Sequence, residues 1–182
     1  MKFWFVDKKL VLSLGFFAIA LIICGFYSLF SVTTGTENRN VPIYCVQTEK
    51  KAAAITFDSA WDDTDLDEIL ETLKKYDCRA TFFVVGDFLN KYTAEVENMH
   101  NAGHEIANHS DTHPHMNSLG REKMIAEMDA CDEKIKKITG QSEVLFRAPY
   151  GEYNNLLVQT CKDTGRFCIQ WDCEVYATDG NS

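Results

Sequence analysis

The sequence predicts an α/β fold built on a parallel β-sheet. Five short apolar runs alternate with stretches of helical periodicity along its 182 residues. The runs are apolar throughout their centres, which is typical of strands that helices cover on both faces. Polar side chains follow four of these runs, namely Asp58, His109, Arg147 and Asp172. Because functional sites of α/β barrels lie at the carboxyl ends of the strands, these four positions predict one site.

The N-terminal segment is predicted to be a membrane anchor. Residues 10–32 carry no charge over 23 positions, and a helix of that length reaches ~34 Å, enough to cross a hydrocarbon core of ~30 Å. Lys2, Lys8 and Lys9 precede it, so residues 1–9 are expected to form a cytoplasmic stub. This predicts a single-pass protein of the cell membrane, in contact with membrane lipid and with its folded domain outside the cytoplasm. A cleaved signal peptide and a buried core helix are the alternatives.

The polar stretch at residues 33–42 is predicted to be a linker, which leaves residues 43–182 as the folded domain. The chain has seven cysteines, of which Cys24 lies in the predicted anchor and the other six in the exported part. Disulfides are permitted there, but the sequence has no C-x-x-C motif, so free buried thiols remain an equal alternative.

Each of the first four predicted strands of the domain is followed by a helix. Strands are expected at residues 51–57, 79–85, 104–108, 144–146 and 167–171. The first helix places four apolar residues on one face, with Thr64 or Asp65 as its cap: Leu66, Ile69, Leu70 and Leu73. Further helices are expected near residues 93–102, 124–138 and 156–164, the first two ending at Gly103 and Gly140.

Composition supports a folded core and argues against nucleic acid as a partner. Apolar residues make up 46% of the chain and charged residues 25%, close to the averages of globular proteins. The 18 basic and 27 acidic side chains leave a net charge of −9. A nucleic-acid-binding protein needs a basic stripe to displace counterions from phosphates, and the sequence has none.

Three short segments carry side chains suited to chemistry. His109 and His113 lie four residues apart, and on one turn such imidazoles can bind one zinc, cobalt or nickel ion. Asp58 ends the first strand, and Arg147 precedes the turn Ala148–Gly151, which predicts a charge clamp and a backbone turned toward a ligand. Each segment alone also fits a plainer structure: surface histidines, a helix cap, a surface loop.

In this order the segments TFDSAWDD, HSDTH and RAPYG resemble the first three motifs of the polysaccharide deacetylase family, also called the NodB homology domain. The flanking RATFFVVGDF and AGHEIANHS extend the resemblance from about Lys51 to Trp171. With its N-terminal anchor and variant first motif, the chain is most similar to the sporulation-associated branch. The resemblance implies a distorted barrel of the (β/α)7 type, of which about five βα units can be counted.

The resemblance also implies an activity, the removal of acetyl groups from amino sugars of cell-wall glycan such as peptidoglycan. It assigns Asp58 as the general base, Arg147 as the residue that orients it, and the backbone N–H of Tyr150 as the oxyanion donor. His109 and His113 would hold a divalent metal, zinc first, with cobalt or nickel as alternatives. Aromatic side chains expected to stack on the sugar, or otherwise simply to pack, are Trp61, Tyr150 and Trp171.

Two departures from the family pattern lead to a further expectation. Ser59 occupies the position of the family's third metal ligand, and Asp62 and Asp63 are the candidates to substitute for it. The match to the fourth motif is lost after Asp172, and the general-acid histidine of the fifth motif is not found. These departures predict a truncated or frameshifted domain with impaired activity. A non-catalytic glycan-binding or vestigial domain is the alternative, and an unrelated metal hydrolase is a third.

Overall fold

The computed structural model describes residues 39–174. The predicted stub, the predicted anchor and most of the predicted linker lie outside these residues. Between residues 39 and 174, no helix has both the length and the apolar character that crossing a membrane requires.

Five parallel strands form one sheet, and their order in space is their order in the chain. They are β1 (Thr56–Ser59), β2 (Thr81–Val84), β3 (Glu105–Asn108), β4 (Leu145–Phe146) and β5 (Phe167–Cys168). The connections contain α1 (Leu66–Lys75), α2 (Gly86–Lys91), α3 (Thr93–Asn101), α4 (Arg121–Thr139) and α5 (Asn155–Asp163). The prediction of a parallel α/β sheet is therefore confirmed within residues 39–174, with five strands of which the first four are each followed by at least one helix.

The first strand differs from its prediction. Residues 51–55 are exposed and precede β1, which begins at Thr56 and ends at Ser59. In the described sheet, β1 pairs with β2 alone, and its residues are half-buried or exposed. The expectation of a strand buried on both faces is wrong here, because an edge strand has neighbours on one side only.

The sequence also missed α2. This helix of six residues follows β2 after a single residue and buries Phe88 and Leu89. It is too short to show a helical period, which is why an apolar pattern did not reveal it. Asp65 does occupy the N-cap position of α1, although its side chain makes no capping hydrogen bond.

Two clusters of buried apolar side chains form the interior. One lies among α1, α2, α3 and β2 and includes Phe82, Val84 and Leu89. The other lies between α5, β4 and β5 and includes Phe146, Leu157 and Cys168. Helix α4 contributes to both, because Met124 and Met128 belong to the second cluster and Cys131 and Ile135 to the first.

The chain is already tied to the fold at residue 40. The backbone N–H of Asn40 donates to Asn155 Oδ1 at 3.0 Å, and Lys162 Nζ donates to Asn40 Oδ1 at 2.9 Å. Ile43 then forms a parallel bridge with Ile169, just beyond β5. The six cysteines among the described residues are free thiols.

Candidate active site

The carboxyl ends of three strands bring the predicted polar residues together. Asp58 is the third residue of β1, while His109 and Arg147 directly follow β3 and β4. Because the strands are parallel, all three positions lie at the same edge of the sheet. Asp172, the fourth residue predicted at this edge, is exposed and lies four residues beyond the end of β5.

Arg147 clamps Asp58, as predicted. Its Nη1 donates to Asp58 Oδ1 at 2.7 Å and to Thr56 Oγ1 at 3.0 Å. The guanidinium carbon lies 3.9 Å from the centre of the Phe83 ring and 5.3 Å from that of Trp171. With Arg147 only 3% exposed, aromatic faces and hydrogen bonds fix the charge beside the carboxylate.

His109 presents one ring nitrogen to this carboxylate. Its Nδ1 lies 2.8 Å from the carbonyl oxygen of Arg147, and since a carbonyl can only accept, Nδ1 carries the proton. The other nitrogen, Nε2, keeps its lone pair and lies 3.8 Å from Asp58 Oδ2. Burial lowers the pKa of His109 below that of a free histidine, so the ring is neutral at pH 7, as a metal ligand must be.

His113 lies beside His109, with the two ring centres 5.1 Å apart. Its pKa is lowered first by burial and then by the neighbouring His109. Both imidazoles are carried by the loop that follows β3, not by a helical turn. Ser110 and His113 adopt left-handed backbone conformations with φ of 69° and 57°, and Ser110 Oγ accepts the N–H of His113 at 3.0 Å.

The turn after Arg147 is sharply bent. Tyr150 has φ of 60° and Gly151 has φ of 65°. A Cβ atom on Gly151 would lie 2.7 Å from the Trp171 ring, so only glycine fits this turn. The Tyr150 ring stacks on His115 at 4.2 Å and meets the edge of His113 at 4.7 Å.

These residues line one open cavity of about 440 Å³. Its wall includes both histidines, Asp58 and the three aromatic residues predicted to bind sugar: Trp61, Tyr150 and Trp171. Trp61 is 71% exposed and lies 5.1 Å from His113 between ring centres. A second cavity of about 490 Å³ adjoins it at Asp58 and is lined by Ser59 and Asp62.

The donor set fits a divalent ion only in part. The two neutral imidazoles beside Asp58 are suitable ligands, and the buried Nδ1 of His113 has no hydrogen-bond partner. No group of three or more His, Cys, Asp or Glu side chains within residues 39–174 is arranged to hold a metal. The substitution of Asp62 or Asp63 for the ligand missing at Ser59 is therefore not formed in the described structure.

Several site residues had no signal of their own in the sequence. Phe83 supports the guanidinium from inside the apolar strand β2, and Glu152 Oε1 lies 2.8 Å from Nδ1 of His115. Only Thr56 could have been singled out, because it belongs to the TFD segment. The other contacts join residues that are far apart in the chain, so no spacing pattern in the sequence predicts them.

The sequence model of the family named polysaccharide deacetylase matches residues 46–168. The chain belongs to the polysaccharide deacetylase family. Its relatives include the peptidoglycan-N-acetylmuramic acid deacetylase PdaA of Bacillus subtilis, 30% identical over 129 residues, or 70% of this chain and 49% of PdaA. The chain spans about half the length of the curated relatives it matches, 51% and 49% for two of them.

Solved structures of polysaccharide deacetylases share this fold. A family 4 carbohydrate esterase from Bacillus anthracis has a TM-score of 0.69 at 32% identity, over 72% of this chain and 64% of that chain. The CE4 family pseudoenzyme BA3943 from Bacillus anthracis has a TM-score of 0.69 at 31% identity, over 72% of this chain and 47% of that chain. A mutant of BA3943 has restored enzymatic activity.

Proposed function

We propose that the chain carries the active site of a metal-dependent N-deacetylase that acts on N-acetylated amino sugars of cell-wall glycan. The observation that supports this most directly is the neutral His109, whose Nε2 lies 3.8 Å from the Asp58 carboxylate that Arg147 clamps. The proposed substrate is that of its relatives, which include peptidoglycan deacetylases of Bacillus subtilis and Bacillus cereus.

In this proposal Asp58 takes a proton from the attacking water. Arg147 keeps the carboxylate ionised and aimed, and the backbone N–H of Tyr150 donates to the oxygen that becomes negative during attack. His109 and His113 would hold the divalent ion, zinc, cobalt or nickel, which when bound lowers the pKa of water and polarises the acetyl carbonyl. The products are acetate and a free amine on the sugar.

The aromatic wall would hold the glycan. Trp61 and Tyr150 are exposed at 71% and 55%, and Trp171 lies between the clamp and the Gly151 turn. Sugar rings pack their C–H faces on such rings, so these three side chains would orient the acetamide toward Asp58.

A second candidate is a glycan-binding member without catalysis. It is favoured by Ser59, which supplies a hydroxyl where the family pattern supplies a carboxylate. The similarity to the pseudoenzyme BA3943 also favours it.

We further propose that residues 10–32 anchor the chain in the cell membrane, with membrane lipid around this helix and residues 43–182 outside the cytoplasm, as in the sporulation-associated branch. The support is the run of 23 uncharged residues behind three lysines. Fractionation of cells that express the full chain tests it, and recovery of the full-length chain in the soluble fraction would contradict the anchor.

Acetate release tests the activity. The full chain is incubated with N-acetylglucosamine oligomers or peptidoglycan fragments and with added zinc or cobalt. We expect acetate release that is impaired, because Ser59 supplies a hydroxyl in the position of a carboxylate ligand. Asp58→Asn should abolish it, because the amide cannot accept the proton. Glycan binding without acetate release in both proteins would favour the non-catalytic candidate instead.

A further inference from the structure

A glutamate outside the family motifs holds the loop between the two histidines. Glu127 lies on α4, and its Oε2 accepts the backbone N–H groups of Asp111 at 3.0 Å and Thr112 at 2.9 Å. Its Oε1 accepts the hydroxyl of Thr112 at 2.9 Å. One side chain thus fixes both peptide groups midway between His109 and His113.

The loop needs outside support because its backbone is strained. Ser110 and His113 are both left-handed, with φ of 69° and 57°, and such conformations cost about 1–3 kcal/mol each in residues other than glycine. Hydrogen bonds within the loop, such as that from the His113 N–H to Ser110 Oγ, cannot by themselves place the loop relative to the sheet.

Three further hydrogen bonds define the start of the loop. Asn108 is fully buried, and its Oδ1 accepts the Ser110 N–H at 2.8 Å while its Nδ2 donates to Asp132 Oδ1 at 2.6 Å. At the start of α2, the N–H of Gly86 donates to the Ser110 carbonyl at 3.0 Å. These bonds fix the chain next to His109.

The middle of the loop has two kinds of support. The carbonyl of Asp111 accepts the Asp87 N–H at 3.0 Å, and its carboxylate accepts from Lys134 Nζ at 2.5 Å. Glu127 binds the N–H of Asp111 as well, and it also binds the N–H of Thr112, the residue directly before His113. Glu127 therefore carries the support from Asp111 on to the residue that precedes the second histidine.

We propose that Glu127 is a positioning residue for the divalent-metal site, holding His113 at the distance from His109 that one ion requires. This inference rests on the proposed function, because it assigns Glu127 to the same metal. Residues that orient metal ligands through hydrogen bonds typically change metal affinity by about 10–100-fold when removed.

The test measures cobalt affinity of the full-length chain in detergent by titration of the cobalt absorption bands. Glu127→Ala removes all three hydrogen bonds, and we expect its dissociation constant to rise about 10–100-fold. Glu127→Gln should restore affinity to near that of the native chain, since its carbonyl oxygen can accept the two N–H groups and its amide can donate to the Thr112 hydroxyl. The matched control is Glu133→Ala, which removes an exposed glutamate from the same helix.

Hydrogen exchange of the metal-free proteins separates positioning from folding. We expect faster exchange of the Asp111 and Thr112 amides in Glu127→Ala, with the β2 and β3 amides still protected. Cobalt affinity in Glu127→Ala within twofold of the native chain would overturn the positioning role while leaving the proposed function intact. A native chain that binds no cobalt would instead overturn the proposed metal-dependent function, and the positioning role with it.

Discussion

At the scale of single residues, the site depends on a buried cation with several partners. Arg147 bonds to Asp58 and Thr56 through one nitrogen and lies against the Phe83 ring. A lysine ammonium has three donors for these oxygens, but it lacks the planar face that packs on the Phe83 ring. It also lacks a second nitrogen to donate to the Gln170 carbonyl, which accepts from Nη2 at 3.5 Å.

We therefore expect Arg147→Lys to reduce both activity and stability. Acetate release should fall by at least ~10²-fold, because the base loses its orientation, and the free energy of unfolding should fall by about 1–3 kcal/mol. Activity assays and urea denaturation measure the two effects. Arg121→Lys is the control, since Arg121 pairs with Asp163 on the surface, where both are more than a third exposed, and should change stability by less than about 0.5 kcal/mol. If Arg147→Lys and Arg121→Lys lost equal activity and equal free energy of unfolding, the pairing of Arg147 with Asp58 would have no particular importance.

A second expectation concerns Ser59, which supplies a weak hydroxyl where the family pattern has a carboxylate. Ser59→Asp should bind cobalt at least about tenfold more tightly, because a third charged ligand joins the two imidazoles. Without metal the same variant should be less stable, since two adjacent carboxylates repel each other. Ser59→Asn has similar size without the charge, and cobalt affinity equal in the two variants would show that position 59 does not reach the ion.

The sequence motifs were sufficient to place Asp58, His109, His113 and Arg147 in one site, because parallel strands that end at one edge bring their final residues together. They were not sufficient for Glu127. Two of its contacts are to backbone N–H groups, which almost every residue has. Neither the residue type nor the spacing in the sequence could therefore predict that Glu127 binds this loop.

At the scale of elements, predictions were best where a helix is long and its end is marked by glycine. Helix α4 ends at Thr139, and Gly140 follows in the left-handed conformation with φ of 73°, as the sequence indicated. The short elements were the difficult ones. β4 and β5 have two residues each, so tertiary pairing rather than any local preference decides where they begin and end.

The start of β3 carries a pH-dependent contact. The backbone N–H of Ala80 donates to His104 Nδ1 at 3.3 Å, which requires that nitrogen to be unprotonated. The pKa of His104 is lowered by burial and, to a smaller extent, by the charge of Arg79. The unfolded chain therefore binds a proton more readily than the folded one.

We expect the free energy of unfolding to fall on acidification. The contribution of His104 is fully present above the unfolded pKa of about 6.5 and is lost as the pH falls toward the lower folded pKa, with a slope of at most ~1.4 kcal/mol per pH unit. Urea denaturation between pH 7.5 and about 5 measures it. The side chain of His104→Gln cannot titrate, so its free energy of unfolding should depend less steeply on pH. Equal pH dependence in the native protein and in His104→Gln would show that His104 is not the cause.

At the scale of the whole molecule, α4 couples the two apolar clusters. Met128 and Ile135 lie about two turns apart on this helix, yet each is fully or almost fully buried, in a different cluster. Displacement of α4 would therefore expose buried apolar side chains of both clusters at once.

This coupling predicts one cooperative unfolding transition for the described domain. Met128→Ala and Ile135→Ala should each cost about 2–5 kcal/mol and should shift the same transition. Tryptophan fluorescence and circular dichroism during urea denaturation measure it, and we expect coincident curves in both variants. A variant in which the two signals separate would show that the clusters unfold independently.

The bond between Asp58 and Arg147 joins positions 89 residues apart, and this separation decides when the site comes into existence. During synthesis the carboxylate and both imidazoles leave the ribosome before Arg147 does. The early strands β1, β2 and β3 can pair while Asp58 still has no cation to orient it. The proposed chemistry therefore requires the docking of β4, because a nascent chain that has formed only β1, β2 and β3 lacks the ion pair that orients the proposed base.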